Sequence, residues 1–586
     1  MMTSGTGAEI IHLHYSRLCH FITNSLNSYT VKSTITKQEQ KSLLINLSQV
    51  LNKIKLFIDD FDLDNGDSLG DIAMCHSSAC ECLTKITHRL VFLLAVENRY
   101  VRHLAGNVIV SLSEFVVESR RYWEEFVQLL CFYFEILICK VISPSSDPLG
   151  RDIYLGSDLI NLKLDLRSVV DNAGWGSVGA IVSVSRMVLK TVKDEDNVRI
   201  VQIYLEVLGS CLQNIPWDLC NGMLVDDIGV GNEFFDFIGY LVQLFCSVVS
   251  VVDPEDDNPP IHEIFNICPK ILKCCFGEKG ENRHYTSISQ YIRYKTLVLM
   301  IRLSPRDNLE CTMAVSWLHL IEKYFQDLLF DSVDQTDADQ EDCLKDSPFN
   351  VTSHRHLQRR VVFLYLRCAF SLIRLPESRK KEGLCGDVTS WSNEGFIALY
   401  EWLKKQLPEN IPVNHELHDD SCKSFTKSFI QLYLHEDDIL FQVLLQLTYT
   451  QPISQDMTSS VVENDMVYLL SDIFDPVHLF HIFLSELHYD HQVLLDYLIS
   501  KDTGASCAEY LLRCLRIICD EWNSFLAFPF RIEGERESFH KRRKLQSDLE
   551  SLKKSVASLH QKDLFPYNPE VLLRRLKRFQ ELCSMS

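Results

Sequence analysis

Large apolar residues return every three or four positions along most of this chain, and that period belongs to helices. The segment EYLLRCLRIICDEW sets Tyr510, Leu511, Cys514, Leu515 and Ile518 on one stripe, with Arg513 and Arg516 toward its edge. VRIVQIYLEVLGSCL, VSWLHLIEKYFQDLLF, RRVVFLYLRCAFSLIRL and DDILFQVLLQLTYT repeat the pattern. A sandwich or barrel needs a turn signal every few residues. The 22 glycines and 17 prolines among 586 residues do not supply them. The expected class is all-α.

Length alone suggests about four domains of ~150 residues, unless repeats stack into one body. YVRHLAGNVIVSLS (Tyr100 to Ser113) and YIRYKTLVLMIRLS (Tyr291 to Ser304) share a Tyr, a β-branched residue, an Arg and a closing Leu-Ser at equal spacing. An Arg near a helix start followed by an apolar face resembles the second helix of a HEAT or armadillo repeat. Each helix pair of such an array has more apolar surface than it can bury alone, so neighbours stack. The expected architecture is an irregular armadillo/HEAT-like solenoid.

Three stretches interrupt the period. DSVDQTDADQEDCLKDSPFN (331–350) is acidic and poor in large apolar residues, which predicts a disordered loop. PESRKKEGLCGDVTSWSNEG (376–395) reads as a second loop, and FRIEGERESFHKRRKLQ (530–546) as a linker. The domain expectation is therefore a helical-repeat region over 1–529, a basic linker over 530–546 and a tail over 547–586. In the tail, Leu545, Leu549, Leu552, Val556 and Leu559 make one heptad seam. The chain turns at LFPYNP, where Asn568 can cap a helix and Pro569 can take its first position. Leu572, Leu573, Leu576, Phe579 and Cys583 then share a face. This predicts a helical hairpin, docked near Tyr510 to Ile518 or on a partner.

Composition limits function. A net charge of −21 argues against direct nucleic-acid binding, which needs a basic footprint, and suits basic protein segments. The 21 cysteines lie scattered in apolar runs, as reduced thiols of a cytosolic or nuclear protein do. MMTSGTGAEIIHLHYSRLCHF lacks the basic start and apolar core of a secretory signal. FIGYLVQLFCSVVSVV (Phe237 to Val252) falls short of the ~20 residues that cross a bilayer and is expected to be a buried helix.

Five stretches invite chemistry. GWGSVG (Gly174 to Gly179) matches the dinucleotide fingerprint, with Asp194 and Glu195 at the distance of a ribose-binding carboxylate. That fingerprint needs a strand before it and a βαβ unit around it; here LINLKLDLRSVVDNA precedes and no second strand follows, so an inter-helix turn is expected. CHSSACECLTKITH crowds Cys75, His76, Cys80, Cys82 and His88 together without the two separated pairs of a zinc site. DPVHLFHIFLSELHYDHQ holds His478, His481, His488, Asp490 and His491 without an H-E-x-x-H spacing; His488 and His491 would share a face if the helix continued. HELHDD (His415 to Asp420) and LHEDD (Leu434 to Asp438) read as polar helix starts or loops. No catalytic residue, cofactor or metal ligand is assigned, and the chain is expected not to be an enzyme. The run Lys541, Arg542, Arg543, Lys544 stands in a polar stretch of an acidic protein and is the candidate nuclear-import signal.

HYDHQVLLDYLISKDTGASCAEYLLRCLRIICDEW and LHQKDLFPYNPEVLLRRLKR together resemble the Lines family, the first its large N-terminal region and the second its short C-terminal domain. The C-terminal signature is Leu564, Phe565, Pro566, Tyr567, Asn568 and Pro569; YLHEDDILFQVLLQL is similar to the family's acidic helix start. The resemblance is sharp from about Tyr433 onward. It implies an armadillo-like scaffold without enzymatic activity or cofactor, acting in developmental signalling such as the Wnt pathway. It further implies transcriptional or signalling regulators as protein partners, in cytoplasm and nucleus. An acidic solenoid that carries basic cargo segments is the alternative. Asp490, His491, Leu495, Thr503, Gly504, Tyr510, Leu511 and Cys514 are expected to form a structural helix joint, with Thr503 and Gly504 turning the chain.

Overall fold

The computed structural model describes residues 7–29, 36–64, 76–119, 121–143, 173–194, 198–222, 232–252, 259–276, 287–304, 311–333, 354–373, 388–407, 415–448, 469–471, 473–523, 525 and 535–585. Residues 334–350 of the acidic stretch, 376–387 of the second expected loop and 530–534 of the expected linker lie outside them. The described residues form 21 α-helices and no strand, an all-α helical solenoid divided into two compact units, Met1–Asp307 and Asn308–Ser586.

The first unit contains α1 (Gly7–Leu26), α2 (Lys37–Asp64), α3 (His76–Leu94), α4 (Arg99–Glu118), α5 (Trp123–Ile142), α6 (Trp175–Asp194), α7 (Val198–Asn214), α8 (Asn232–Val249), α9 (Pro259–Phe276) and α10 (Ser287–Leu303). Odd-numbered helices pack each on the next, α1 on α3 through to α9, and even-numbered helices do the same from α2 to α10. The alternation makes two layers. The cause is visible in α8, which buries Phe234, Phe237, Ile238, Leu241, Val242, Leu244, Phe245 and Val248. A single partner covers one stripe of a helix; α8 needs α6 and α10 beside it and α9 across the layers. This helix contains most of the sixteen-residue apolar run, and no helix among the described residues is long and apolar enough to cross a membrane.

The two related segments fall on α4 and α10, in the same layer. Val101 and Ile292, Leu112 and Leu303, and Ser113 and Ser304 are all buried. Ser113 Oγ donates to Val110 O at 2.6 Å, and Ser304 Oγ donates to Ile301 O at 2.7 Å. The shared arginine diverges. Arg102 reaches Glu233 on α8 at 2.9 Å, whereas Arg293 is 2 % exposed.

The second unit runs through α11 (Cys311–Tyr324), α12 (Gln326–Leu329), α13 (His354–Ile373), α14 (Val388–Gln406), α15 (His415–Tyr433), α16 (Asp437–Leu447), α17 (Pro476–Glu486), α18 (His491–Ile499), α19 (Gly504–Asp520), α20 (Glu535–Gln561) and α21 (Glu570–Met585). Helix α13 is its hub, touching α11, α12, α14, α15 and α16. From there α16, α19 and α21 continue one row, flanked by α15 and α17. Polar side chains tie down the end of α12: Trp402 Nε1 donates to Leu329 O at 3.0 Å, and Arg355 Nη1 donates to Ser332 O at 3.2 Å. Helix α14 begins at Val388, so the last eight residues of the second expected loop are helical. A Cβ on Gly395 would lie 2.7 Å from Ala369 O, so this glycine permits close packing on α13 and does not mark a turn.

Gly179 does the same between α6 and α8, where a Cβ would stand 3.4 Å from Phe237 Cα. Alanine fits that distance and favours a helix over glycine by about 1 kcal/mol. Leucine must push the helices apart, at about 1–3 kcal/mol for overpacking. Gly179→Ala should leave the denaturation midpoint unchanged or raised, and Gly179→Leu should lower it; equal midpoints would refute the close approach.

Candidate functional site: the seat of the C-terminal hairpin

The joint begins where α17 stops. His488 and Tyr489 both adopt left-handed backbone (φ 57° and 56°), and Tyr489 N donates to Leu484 O at 2.9 Å, closing the helix end. The helix does not continue, so His488 and His491 do not share a face. Asp490 caps α18 by accepting from Gln492 N at 2.9 Å, as Asp475 caps α17 by accepting from His478 N at 2.7 Å. His478 is buried, and the His481 ring stacks on Phe525 at 5.3 Å. Among the described residues no group of three or more His, Cys, Asp or Glu is placed to hold a metal ion.

Helix α18 ends at Ile499 and α19 starts five residues later. Thr503 Oγ1 donates back to Tyr497 O at 3.0 Å, and Gly504 N donates to Ser500 O at 3.0 Å. A Cβ on Gly504 would lie 2.6 Å from Leu498 O, too close for any other residue without moving backbone. Leu495, Tyr510, Leu511 and Cys514 are buried beneath this turn. The Tyr510 ring meets Phe441, Phe480 and Phe483 at 6.3, 6.2 and 5.8 Å. Burial pushes the Cys514 thiol up to about 12, which keeps it protonated and unreactive.

The tail seats on this joint. Leu545, Leu549, Leu552 and Val556 of α20 are buried, with Leu559 half-buried, and α20 lies against α18 and α21. Helix α20 begins at Glu535, so the basic run lies on a helix and not in an extended connection; Arg543 and Lys544 are exposed on it. The helix closes with Asp563 left-handed (φ 56°) and Leu564 N donating to Leu559 O at 2.9 Å. Phe565 then packs its ring edge against Tyr567 at 4.9 Å, and the Tyr567 hydroxyl sits between Leu498 O (3.0 Å) and Gly504 O (3.2 Å). Burial raises its pKa, so the hydroxyl stays a donor. Asn568 Oδ1 accepts from Glu570 N at 3.0 Å, making Asn568 the cap of α21 one residue ahead of the expected helix start. Leu572, Leu576 and Phe579 are buried, and α21 lies on α19, with Phe579 5.7 Å from Trp522 and 6.1 Å from Phe525. Leu564 is 65 % exposed.

One group in this seat escaped the sequence reading. Asp548 stands between Leu545 and Leu549 on α20, with its side chain 2 % exposed. Neither carboxylate oxygen has a partner at hydrogen-bond geometry, and His491 Nδ1 is 3.9 Å away. Burial pushes the carboxyl up to about 6; His491 favours its charge and Asp490 opposes it. A lone charged residue beside a heptad seam looks like a flank position, so sequence offers no signal for its burial.

The other candidates resolve as structure. Gly174 precedes α6, and the helix starts at Trp175, within the fingerprint. Gly176 N donates to Glu233 Oε2 at 3.2 Å, while a Cβ there would fall 1.6 Å from Arg102 Nη1. That glycine makes room for an arginine and hands its N–H to a carboxylate. Asp171, Asn172 and Glu195 lie outside the described residues, as does Cys75. Cys80, Cys82 and His88 lie on α3, where His88 Nδ1 is 3.0 Å from the Tyr133 hydroxyl. His415 to Asp420 open α15. In LHEDD, burial opposes the Glu436 charge, but His356, Arg360 and Arg359 outweigh it and hold the carboxyl below its usual range. Asp437 and Asp438 occupy the first turn of α16, where a helix terminus favours anions.

Residues 395–528 match the family model described as Lines N-terminus, and residues 547–581 match that described as Lines C-terminus. The first match runs from α14 through α19, and the second covers the seam from Leu549 onward, the turn and most of α21. No curated protein matches the chain.

Two outcomes follow from the seat. Tyr567→Phe removes one shared hydroxyl donor, which should cost about 1 kcal/mol of docking and speed proteolysis ahead of Leu545; an unchanged cleavage rate would separate the hydroxyl from docking. For Asp548, the folded protein binds more protons than the unfolded chain between about pH 4 and 6, so stability falls as pH rises through that window. Asp548→Asn should flatten this fall when melting temperature is followed from pH 4.5 to about 8. A slope identical to that of the unmutated protein would show that Asp548 is ionised without penalty.

Proposed function

We propose that this chain, which belongs to the Lines family through its residues 395–528 and 547–581, works as a non-enzymatic interaction scaffold in developmental signalling. Membership of that family suggests a developmental regulator. The observation that carries the reading is the union of the two matched regions: α21 on α19, α20 on α18, and Tyr567 across the joint. A helical array capped by its own hairpin offers long polar faces to other proteins. Partners in this reading are transcriptional or signalling regulators, in a pathway of the Wnt type, bound without direct nucleic-acid contact. The chain works in cytoplasm and nucleus, with Lys541, Arg542, Arg543 and Lys544 as its import signal; the exposure of Arg543 and Lys544 supports access to them.

Affinity capture with mass spectrometry, on the unmutated protein and on Leu552→Asp/Leu576→Asp, tests this. Transcription or signalling regulators should be recovered with the first and depleted with the second. Recovery of transport machinery instead would replace the scaffold with a cargo adaptor. Alanine at the four basic residues should deplete the nuclear pool without changing the melting temperature, and an unaltered distribution would remove the import role.

A further inference from the structure

We propose that the even-numbered layer of the first unit carries a docking surface for a carboxylate-rich peptide segment of a partner protein. The surface lies over the C-terminal halves of α6 and α8 and along α10. Helix α6 supplies Arg186, Lys190 and Lys193, and α10 supplies Lys295 and Arg302. Their convergence on α8 is direct. Arg302 Nη1 donates to Cys246 O at 3.2 Å, and Lys193 Nζ donates to Ser250 O at 3.4 Å. Arg186, Lys295 and Arg302 all lie close enough to influence the Cys246 thiol, and Lys190 is one turn before Lys193. Lys190, Lys193 and Arg302 are exposed; Arg186 and Lys295 are half-buried.

Among the described residues this ground holds few carboxylates. Helix α10 contains no Asp or Glu, and α6 has none before its last residue, Asp194. Those of α8, Glu233 and Asp236, lie in its first two turns, and Glu233 already serves Arg102 and Gly176. Among the described residues no carboxylate pairs with any of the five cations, in a chain whose net charge is −21. The Arg186 Nε–H is buried without an acceptor. Two of the five cations donate to carbonyls at the C-terminal end of α8 and a third lies against tyrosine rings, so no described carboxylate offsets the charge of the group, and its field attracts an anion.

The setting suits a peptide. Gln243 donates to the Tyr291 hydroxyl at 2.9 Å, and Lys295 Nζ lies 5.5 and 5.6 Å from the centroids of the Tyr291 and Tyr294 rings. Tyrosine and arginine together give flat apolar contact plus bidentate carboxylate recognition, the combination that dominates protein interfaces. Charge complementarity selects an acidic segment. A long polyanion would meet the acidic remainder of the chain, whereas the field acting on a short peptide is screened within about 8 Å at physiological salt. The inference does not depend on the pathway proposed above.

The test is fluorescence anisotropy on the full chain, with a labelled synthetic peptide rich in Glu and Asp and bearing one Leu and one Tyr. Saturable binding is expected, weakening as salt rises. Lys190→Glu/Lys193→Glu/Arg302→Glu should weaken it about tenfold or more. The milder Lys190→Gln/Lys193→Gln should do so in part, with circular dichroism and melting temperature unchanged. Arg574→Glu/Lys577→Glu on α21 should have no effect. Absence of binding, equal loss with the α21 variant, or tighter binding of a single-stranded oligonucleotide would overturn the proposal. So would binding that appears only after Asp253, Glu255, Asp256 and Asp257 are neutralised, because the occupant would then be the chain itself.

Discussion

Helices α8 and α13 have apolar side chains on nearly every side, and no single neighbour can cover such a helix. Burying one large apolar side chain contributes about 1.5–3 kcal/mol. Fixing each residue's backbone costs about 1–2 kcal/mol. A lone pair of helices that leaves half its apolar surface wet therefore gains too little to stay ordered. Stacking changes the balance, because every added helix covers surface on at least two others. The alternating layers of the first unit and the hub around α13 in the second are both consequences of that constraint.

A stack must also end. In the second unit α19 has α16 on one side, and α21 covers the other with Leu572, Leu576 and Phe579 while showing solvent Arg574, Lys577 and Arg578. An apolar inner face and a polar outer face are what a terminal cap requires. The polar details fix where the cap sits. Gly504 leaves the Leu498 carbonyl uncovered by a side chain, and the Tyr567 hydroxyl comes within reach of both carbonyls. Asp548 opposes this seat at neutral pH, because its carboxyl, pushed up to about 6 by burial, lies on α20 where that helix meets α18.

The period of the apolar residues carried the helical class, and matched spacing placed the Tyr100 and Tyr291 segments on equivalent helices, down to their closing serine bonds. Thr503 and Gly504 were legible as a turn because one hydroxyl and one missing side chain there have few other uses. Tertiary contact hid the rest. Gly395 and Gly176 look like turn glycines until the Ala369 carbonyl and the Arg102 guanidinium are placed beside them. The left-handed break at His488 and Tyr489 has no glycine to announce it. Asp548, Arg293 and Arg355 are buried charges, and a charge in a sequence reads as surface. The basic ground around Cys246 comes from two helices about a hundred residues apart, which only stacking brings together.

The central claim is that the C-terminal hairpin is the cap of the second unit and holds α18 and α19 in place. Hydrogen exchange followed by mass spectrometry on the full chain, with and without Leu552→Asp/Leu576→Asp, tests it most directly. Capping requires amides of α18 and α19 to lose protection in the variant while those of α11 and α13 keep theirs. If α18 and α19 exchange at the same rate in both proteins, the hairpin is a passenger and the array ends without it.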